Sequence, residues 1–130
     1  MREIKFRGKG GITDSWLIGS LVTWKDGAMI YGGFLNEGVV RPETVGQYTG
    51  LKDKNGKEIY EGDIIGCHNP DIKHLIFYNE KQGRFMAALN GDIENDFVGV
   101  CGLDDSRWNA SKEVIGNIHD NPELIKEENK

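Results

Sequence analysis

The sequence predicts an all-β protein, and three observations favour this fold class. Short apolar runs, many of them alternating with polar residues, recur along the 130 residues and are separated by turn-forming residues. Glycine is frequent, with 18 residues, whereas proline is rare, with 3, which is typical of strands punctuated by turns. The runs follow each other too closely for the helical crossovers of a parallel sheet. This spacing favours a small antiparallel barrel or sandwich.

The first third of the chain contains several short candidate strands. In the first of them, Ile4 and Phe6 share one face of an alternating pattern. The apolar runs on either side of Gly19-Ser20 form either one bent strand or a tight hairpin, and Asp26-Gly27 predicts the turn that follows. The candidate strands are residues 3–7, 16–18, 21–24, 28–31 and 39–40.

The strongest local signal is the pair Asn55-Gly56, which predicts a type I′ hairpin turn. Both residues are expected to have a positive φ, because asparagine tolerates that region and glycine has no Cβ to clash. Leu51 and Ile59 would anchor the two arms of the hairpin. Glu61-Gly62-Asp63 predicts a second turn, which leads into an apolar strand over residues 64–67.

The second half of the chain continues in the same style. Residues 73–79 are apolar on both faces, which indicates a central strand. Asn90-Gly91 repeats the hairpin-turn chemistry after a strand over residues 84–89. Near the end, Asn121 and Pro122 suit the N-cap and the first position of a short helical turn. The remaining candidate strands are residues 97–100 and 114–118.

Charge and composition limit the function classes. The formal net charge of −5 argues against a protein that reads duplex DNA, since such proteins usually present a basic face. The N-terminus lacks the apolar core of a secretory signal, and no run of about 20 apolar residues could span a bilayer. We therefore expect a cytoplasmic protein without a membrane partner, in which Cys67 and Cys101 are reduced thiols.

No residue pattern predicts a catalytic, cofactor-binding or metal-binding site. Cysteine and histidine lack the paired spacing of a zinc site. The acidic group around Glu58, Glu61 and Asp63 brackets a turn, where solvated acids are common, and Asp104-Asp105-Ser106 lacks the glycines of a phosphate-binding loop. The residues weighed for metal binding were Cys67, His68, His74, Cys101 and His119.

Aromatic side chains are the best candidates for a binding surface, although packing in the core is the favoured explanation for the group as a whole. Trp108 stands among polar residues in a long connection from Ile93 to Asn109, and it is the preferred candidate for partner binding, together with Phe97 and Arg107. The aromatic residues considered were Trp16, Trp24, Tyr31, Tyr48, Tyr60, Tyr78 and Trp108.

Three segments together resemble the YopX family of phage and prophage proteins. They are Met1–Lys9 with Trp16 and Gly19, Pro42–Ile65, and Glu113–Ile118 with Asn121–Leu124. The resemblance implies a phage or prophage origin, and hence a bacterial host cell. It also implies an SH3-like barrel that begins near Asp63, but it brings no activity, substrate or functional residue.

The organisation expected from these observations is an N-terminal β lobe, a hairpin, an SH3-like barrel with a short C-terminal helical turn, and a frayed tail. The corresponding ranges are residues 1–45, 46–62, 63–125 and 126–130, unless the whole chain forms one compact unit.

The favoured function is a non-catalytic protein-interaction domain of an uncharacterised accessory protein, whose partner is a host or phage protein. A nucleic-acid-associated small barrel is the first alternative, supported by Arg2, Lys5, Arg7 and Lys9. An enzyme of unknown class is the second alternative. Homo-oligomer formation is left open.

Overall fold

The computed structural model describes residues 3–33, 37–66, 71–94, 97–99 and 112–126, with no side-chain description for residues 97–99 and 126. Nearly all regular structure in these ranges is β-strand, with antiparallel pairing throughout the described ladders. The predicted all-β class is therefore confirmed. Among the described residues, no helix combines the length and the apolar character needed to cross a bilayer. The chain divides into two compact units, Met1–Gly50 and Leu51–Lys130.

Five strands run through the first unit, and the last of them continues into the second. They are β1 (Phe6–Lys9), β2 (Trp16–Trp24), β3 (Gly27–Tyr31), β4 (Glu37–Val40) and β5 (Gly46–Lys52), with a 3₁₀ helix at Pro42–Thr44. Their order in the sheet is β4-β3-β2-β1-β5. A bridge between Gly10 and Val40 also connects the end of β1 with the end of β4.

One face of this sheet carries the core of the first unit. Leu17, Ala28, Ile30 and Val40 are buried there. They come from three neighbouring strands. They share one face because alternate residues of a strand point to the same side of a sheet. Phe6, Leu21 and Val45 pack around these four residues.

The two candidate runs around Gly19 form one long strand, β2, which decides between the alternatives left open above. At Gly19 the backbone of β3 comes so close that a Cβ would overlap the carbonyl of Tyr31 and the backbone of Gly32. Glycine therefore serves here as a point of close approach between two strands and not as a turn.

The second unit adds six strands and a short helix: β6 (Glu58–Tyr60), β7 (Asp63–Gly66), β8 (Lys73–Asn79), β9 (Arg84–Leu89), β10 (Phe97–Gly99), β11 (Glu113–Asn117) and α1 (Glu123–Lys126). β6 follows β5 in a hairpin, and the other five form a sheet in the order β10-β9-β8-β7-β11. β8 lies in the middle of that sheet, as its two apolar faces predicted. Ile59, Ile65, Ile76 and Ala87 form the buried core.

The turn between β5 and β6 differs from the predicted one. Of the two residues Asn55 and Gly56, only Gly56 has a positive φ, which is 81°. Asn55 is not among the described non-glycine residues with positive φ, which are Asp14 and Asn90. The Gly56 N–H donates to the Asp53 carbonyl at 3.0 Å, which is the bond of a type I turn with Asp first and Gly fourth. The prediction of positive φ at Asn55 was therefore wrong.

The side chain of Asp53 explains this outcome. It is buried, and its Oδ1 accepts bonds from the backbone N–H groups of Asn55 and Lys57, both at 2.9 Å. Its Oδ2 accepts a third bond, from the Val114 N–H at 2.9 Å. An aspartate at the first position thus fixes the turn through its own acceptors, and this competes with the conformation that Asn-Gly favours alone.

The type I′ conformation occurs instead at the second Asn-Gly pair. Asn90 and Gly91 have φ values of 52° and 82°, and the Asp92 N–H donates to the Leu89 carbonyl at 3.0 Å, which closes the turn. The C-terminal helical turn is also present as predicted. However, Asn121 does not cap it through its side chain, because Asn121 Oδ1 accepts the Asn117 N–H at 3.2 Å.

Candidate functional site

The residues predicted to bind a partner fall largely outside the described ranges. Arg107 and Trp108 are not among the described residues. Phe97 begins β10 and pairs with Ala88 through its backbone, and its side chain is not described. Their role in partner binding therefore stays a prediction.

A different surface of the first unit has the composition of a binding site. Alternate residues of β2 point away from the core, and among them Ile18, Val22 and Trp24 are apolar. Because paired residues of neighbouring strands point to the same side, the register brings Met29 of β3 beside Val22, and Val39 of β4 beside Met29. We call this side of β2, β3 and β4 the outer face.

Large apolar side chains are exposed across the outer face. The exposed fractions are 50% for Val22, 61% for Val39, 49% for Trp24 and 54% for Tyr31. Ile18 is also exposed, and Met29 is half-buried between the two valines. The row Val22, Met29, Val39 thus forms a continuous apolar strip across three strands.

The two aromatic residues stand on opposite sides of this strip, two residues along the strands from it. The indole of Trp24 lies over Gly27, so closely that a Cβ at Gly27 would come within 2.9 Å of the ring. Tyr31 lies one step beyond Met29 in the other direction and pairs with Ser20 on one side and Glu37 on the other. Glycine at position 27 therefore allows the indole to lie flat across β3.

Charged residues of opposite sign border the outer face along β4. Glu37 and Arg41 stand two residues before and two residues after Val39, so that both belong to the same side of the chain. Glu37 is exposed, and Arg41 is ion-paired with Asp14. The Val39 end of the apolar strip is thus flanked by an acid on one side and by a base on the other.

A groove adjoins the outer face at the tip of the β2–β3 hairpin. It encloses about 580 Å³ and is lined in part by Trp24, Lys25, Pro42 and Val45. Trp24 therefore belongs both to the outer face and to the wall of this groove. The lining is mixed, since it includes Thr23, Lys25 and Asp26 as well as apolar residues.

The basic residues in and just before β1 are arranged differently from what a phosphate-binding strand requires. The Lys5 ammonium lies 5.1 Å from the centre of the Tyr48 ring. The Arg7 guanidinium and the Lys9 ammonium lie 4.6 and 5.6 Å from the Trp16 ring. These are cation–π distances, and Arg7 is only 9% exposed. The positive charges of this strand are thus held against aromatic rings of the same unit.

The acidic cluster serves the turn that follows β6. Asp63 is 1% exposed, and its Oδ2 accepts the Tyr60 N–H at 2.7 Å. The Tyr60 hydroxyl donates to the Glu58 carboxylate at 3.1 Å. Within the described ranges no group of three or more potential ligands could hold a metal ion. Cys67, His68 and Cys101 lie outside those ranges.

The outer face was not predicted, because the pattern around Gly19-Ser20 left open whether residues 16–24 form one strand or a hairpin. Taken as one strand, β2 has apolar residues on both sides, with Leu17 and Leu21 on one and Ile18, Val22 and Trp24 on the other. This two-sided pattern was the available signal. The prediction for the aromatic residues divides accordingly, since Tyr48 and Tyr60 are buried whereas Trp24 and Tyr31 are exposed.

A known protein family and a solved structure are similar to this chain. A family model described as YopX protein matches residues 20–126. The crystal structure of protein EF1440 from Enterococcus faecalis is similar to this chain, with a TM-score of 0.57 and 27% sequence identity. That alignment covers 96% of this chain and 99% of the other. No curated protein matches the chain.

Proposed function

The chain belongs to the YopX family, and we propose that it is a non-catalytic protein-interaction domain of a phage or prophage accessory protein. The observation that carries this proposal is the outer face, where apolar side chains of three strands are exposed together. The proposed location is the cytoplasm of the bacterial host.

An antiparallel sheet commonly packs one face on a core and presents polar residues to water on the other. In the first unit both faces are apolar, since Leu17 and Ile30 lie on the core side while Val22 and Val39 lie on the outer side. The exposed apolar area of the outer face is on the order of 500 Å², at the size where patches on monomers are often functional.

The composition of the face also fits protein recognition. Aromatic residues set in an apolar patch and ringed by polar groups are typical of interface hot spots. Trp24 and Tyr31 occupy such positions, with Ser20, Glu37 and Arg41 around them. We propose additional contacts with the protein partner at Trp108, Phe97 and Arg107, because aromatic and arginine side chains are typical of interface hot spots.

A nucleic-acid-associated module is the second candidate, and the basic side of β1 is the observation in its favour. Lys5, Arg7 and Lys9 are spaced two residues apart and share that side, and the two lysines are half-buried. Two features weaken it, because Arg7 is buried and the net charge is −5. For the second unit we further propose an SH3-like arrangement, supported by its five-stranded antiparallel sheet.

Photo-crosslinking inside cells tests the proposed function. A benzophenone amino acid at Tyr31 replaces one exposed aromatic group of the outer face with another. Ile4, which is 63% exposed in the same unit and precedes β1 where that strand pairs with β5, is the matched control position. We expect a discrete protein adduct from position 31 and none from position 4. Absence of any adduct from position 31 in cells that carry the element would contradict the proposal.

A further inference from the structure

We infer that the protein bound by the outer face is a second copy of this chain, so that two first units pack face to face across a two-fold axis. This inference rests on the proposed function, because it names the partner of the same surface. It is carried by three observations, which are the area of the face, the symmetry of its apolar pattern and the placement of its charges.

The apolar area of the face accounts for part of what a stable dimer requires. It is on the order of 500 Å², below the roughly 800 Å² that each partner contributes to a standard interface, so the polar residues around it have to be buried as well. Interfaces of homodimers are also more apolar and poorer in charge than those of transient complexes. The central strip of Val22, Met29 and Val39 contains no charged residue. The face therefore resembles half of a core more than a site for occasional contact.

The pattern of the face is complementary to itself under one particular two-fold rotation. The axis lies along the strip Val22, Met29, Val39 and perpendicular to the strands. It places this strip on the same strip of the second copy and sets the strands antiparallel to their counterparts. Sheets that pack face to face keep their strands within about 30° of alignment, and this arrangement satisfies that rule.

The same rotation brings the aromatic residues of the two copies together. Trp24 and Gly27 form the pair one step from the strip on one side, and Ser20 and Tyr31 form the pair one step away on the other. Because the Trp24 indole lies over Gly27 on β3, it faces the Tyr31 of β3 in the second copy. The contact occurs twice, since a two-fold interface is isologous.

The charges on β4 are complementary under this rotation as well. Glu37 and Arg41 stand at equal distances from Val39 along the strand. The axis therefore sets Glu37 of each copy against Arg41 of the other. Arg41 also pairs with Asp14 within its own chain, so that the second copy extends an existing ion pair. A different axis through the face would not align both the aromatic and the charged pairs.

Sedimentation equilibrium of the purified full chain tests the inference. We expect a dimer at micromolar concentration. Val22→Glu should raise the dissociation constant by about 100-fold or more, because each substitution is counted twice in a two-fold interface and buries a charge beside Met29. Ile4→Glu, at an exposed position ahead of β1, is the matched control, and it should leave the dissociation constant unchanged. Circular dichroism of both variants confirms that the sheet is intact.

A charge exchange tests the orientation without relying on Val22→Glu. In an Asp14→Asn background, which removes the ion pair of Arg41 within its own chain, Glu37→Arg should weaken the dimer about tenfold by setting like charges against each other, and Arg41→Glu should do the same. The double variant should return to within about threefold of the dissociation constant of Asp14→Asn alone. Two additive losses would overturn the proposed axis.

The outcomes separate this inference from the proposed function. A chain that stays monomeric at about 100 μM, or a dimer that Val22→Glu leaves intact, would overturn the second-copy inference. If the chain is monomeric and position 31 nevertheless crosslinks to a foreign protein, the proposed function survives and only the identity of the partner is wrong. If position 31 yields no adduct at all, both are wrong.

Discussion

Replacing Asp53 with alanine should destabilise the second unit by about 3 kcal/mol, although Asp53 is a turn residue. Its carboxylate accepts three backbone N–H bonds, from Asn55, Lys57 and Val114. A buried donor left without its acceptor costs about 1–3 kcal/mol. Asn55 and Lys57 are exposed residues, so water can replace part of those two bonds. The Val114 bond joins the turn to β11 across 61 residues of sequence and accounts for the largest share.

The conservative variant Asp53→Asn separates the contribution of the Val114 bond from that of the two bonds within the turn. Asp53→Asn keeps one oxygen for Asn55 and Lys57 but presents an NH₂ group to the Val114 N–H, and we expect a loss of about half the alanine value. Asp26→Ala, at the exposed turn between β2 and β3, is the control and should change stability by less than about 0.5 kcal/mol. The assay is urea unfolding followed by circular dichroism. An Asp53→Ala variant within about 0.5 kcal/mol of the original chain would refute this reasoning.

Three further predictions follow from the described residues. Gly56→Val should destabilise by about 1 kcal/mol or more, because φ at position 56 is 81° and a β-branched residue resists that region; an unchanged melting midpoint would contradict this. Gly19→Ala should be more damaging, by about 2 kcal/mol or more, because its Cβ would overlap the backbone of Tyr31 and Gly32; thermal unfolding compared with Gly11→Ala, where space is open, provides the check. Duplex DNA should bind only weakly at physiological salt in an anisotropy titration, given the net charge of −5, and submicromolar binding that falls steeply with salt would favour the nucleic-acid candidate instead.

The fold class and most strands could be predicted because they depend on local patterns. The two-sided apolar run of β8, the apolar pattern of β9 and the turn residues after β6 are visible in short windows of sequence. The turn conformation at Asn55 could not be predicted in the same way. The acceptor bonds of Asp53 reach Val114, a residue far along the chain, and they decide between two turn types that the local residues both allow.

The candidate site was less predictable than the fold, for a physical reason. A strand that is apolar on both sides predicts burial on both sides, and only the paired strands show which side is covered. Ile30 and Met29 are neighbours in sequence, yet Ile30 is fully buried while Met29 joins the exposed outer face. For this reason the sequence pattern favoured Trp108, in a loop, over Trp24 and Tyr31, which the structure shows exposed on a sheet.

The central claim is that the outer face is covered by protein in the cell. Hydroxyl-radical footprinting tests it directly, because tryptophan, tyrosine and methionine are readily oxidised. Trp24 and Tyr31 are 49% and 54% exposed, and Tyr78 of the second unit, at 42%, is the matched reference. The account predicts that Trp24 and Tyr31 are oxidised at rates like that of Tyr78 in dilute purified protein and are protected severalfold relative to Tyr78 inside the cell. Equal oxidation of the three residues in the cell would contradict it.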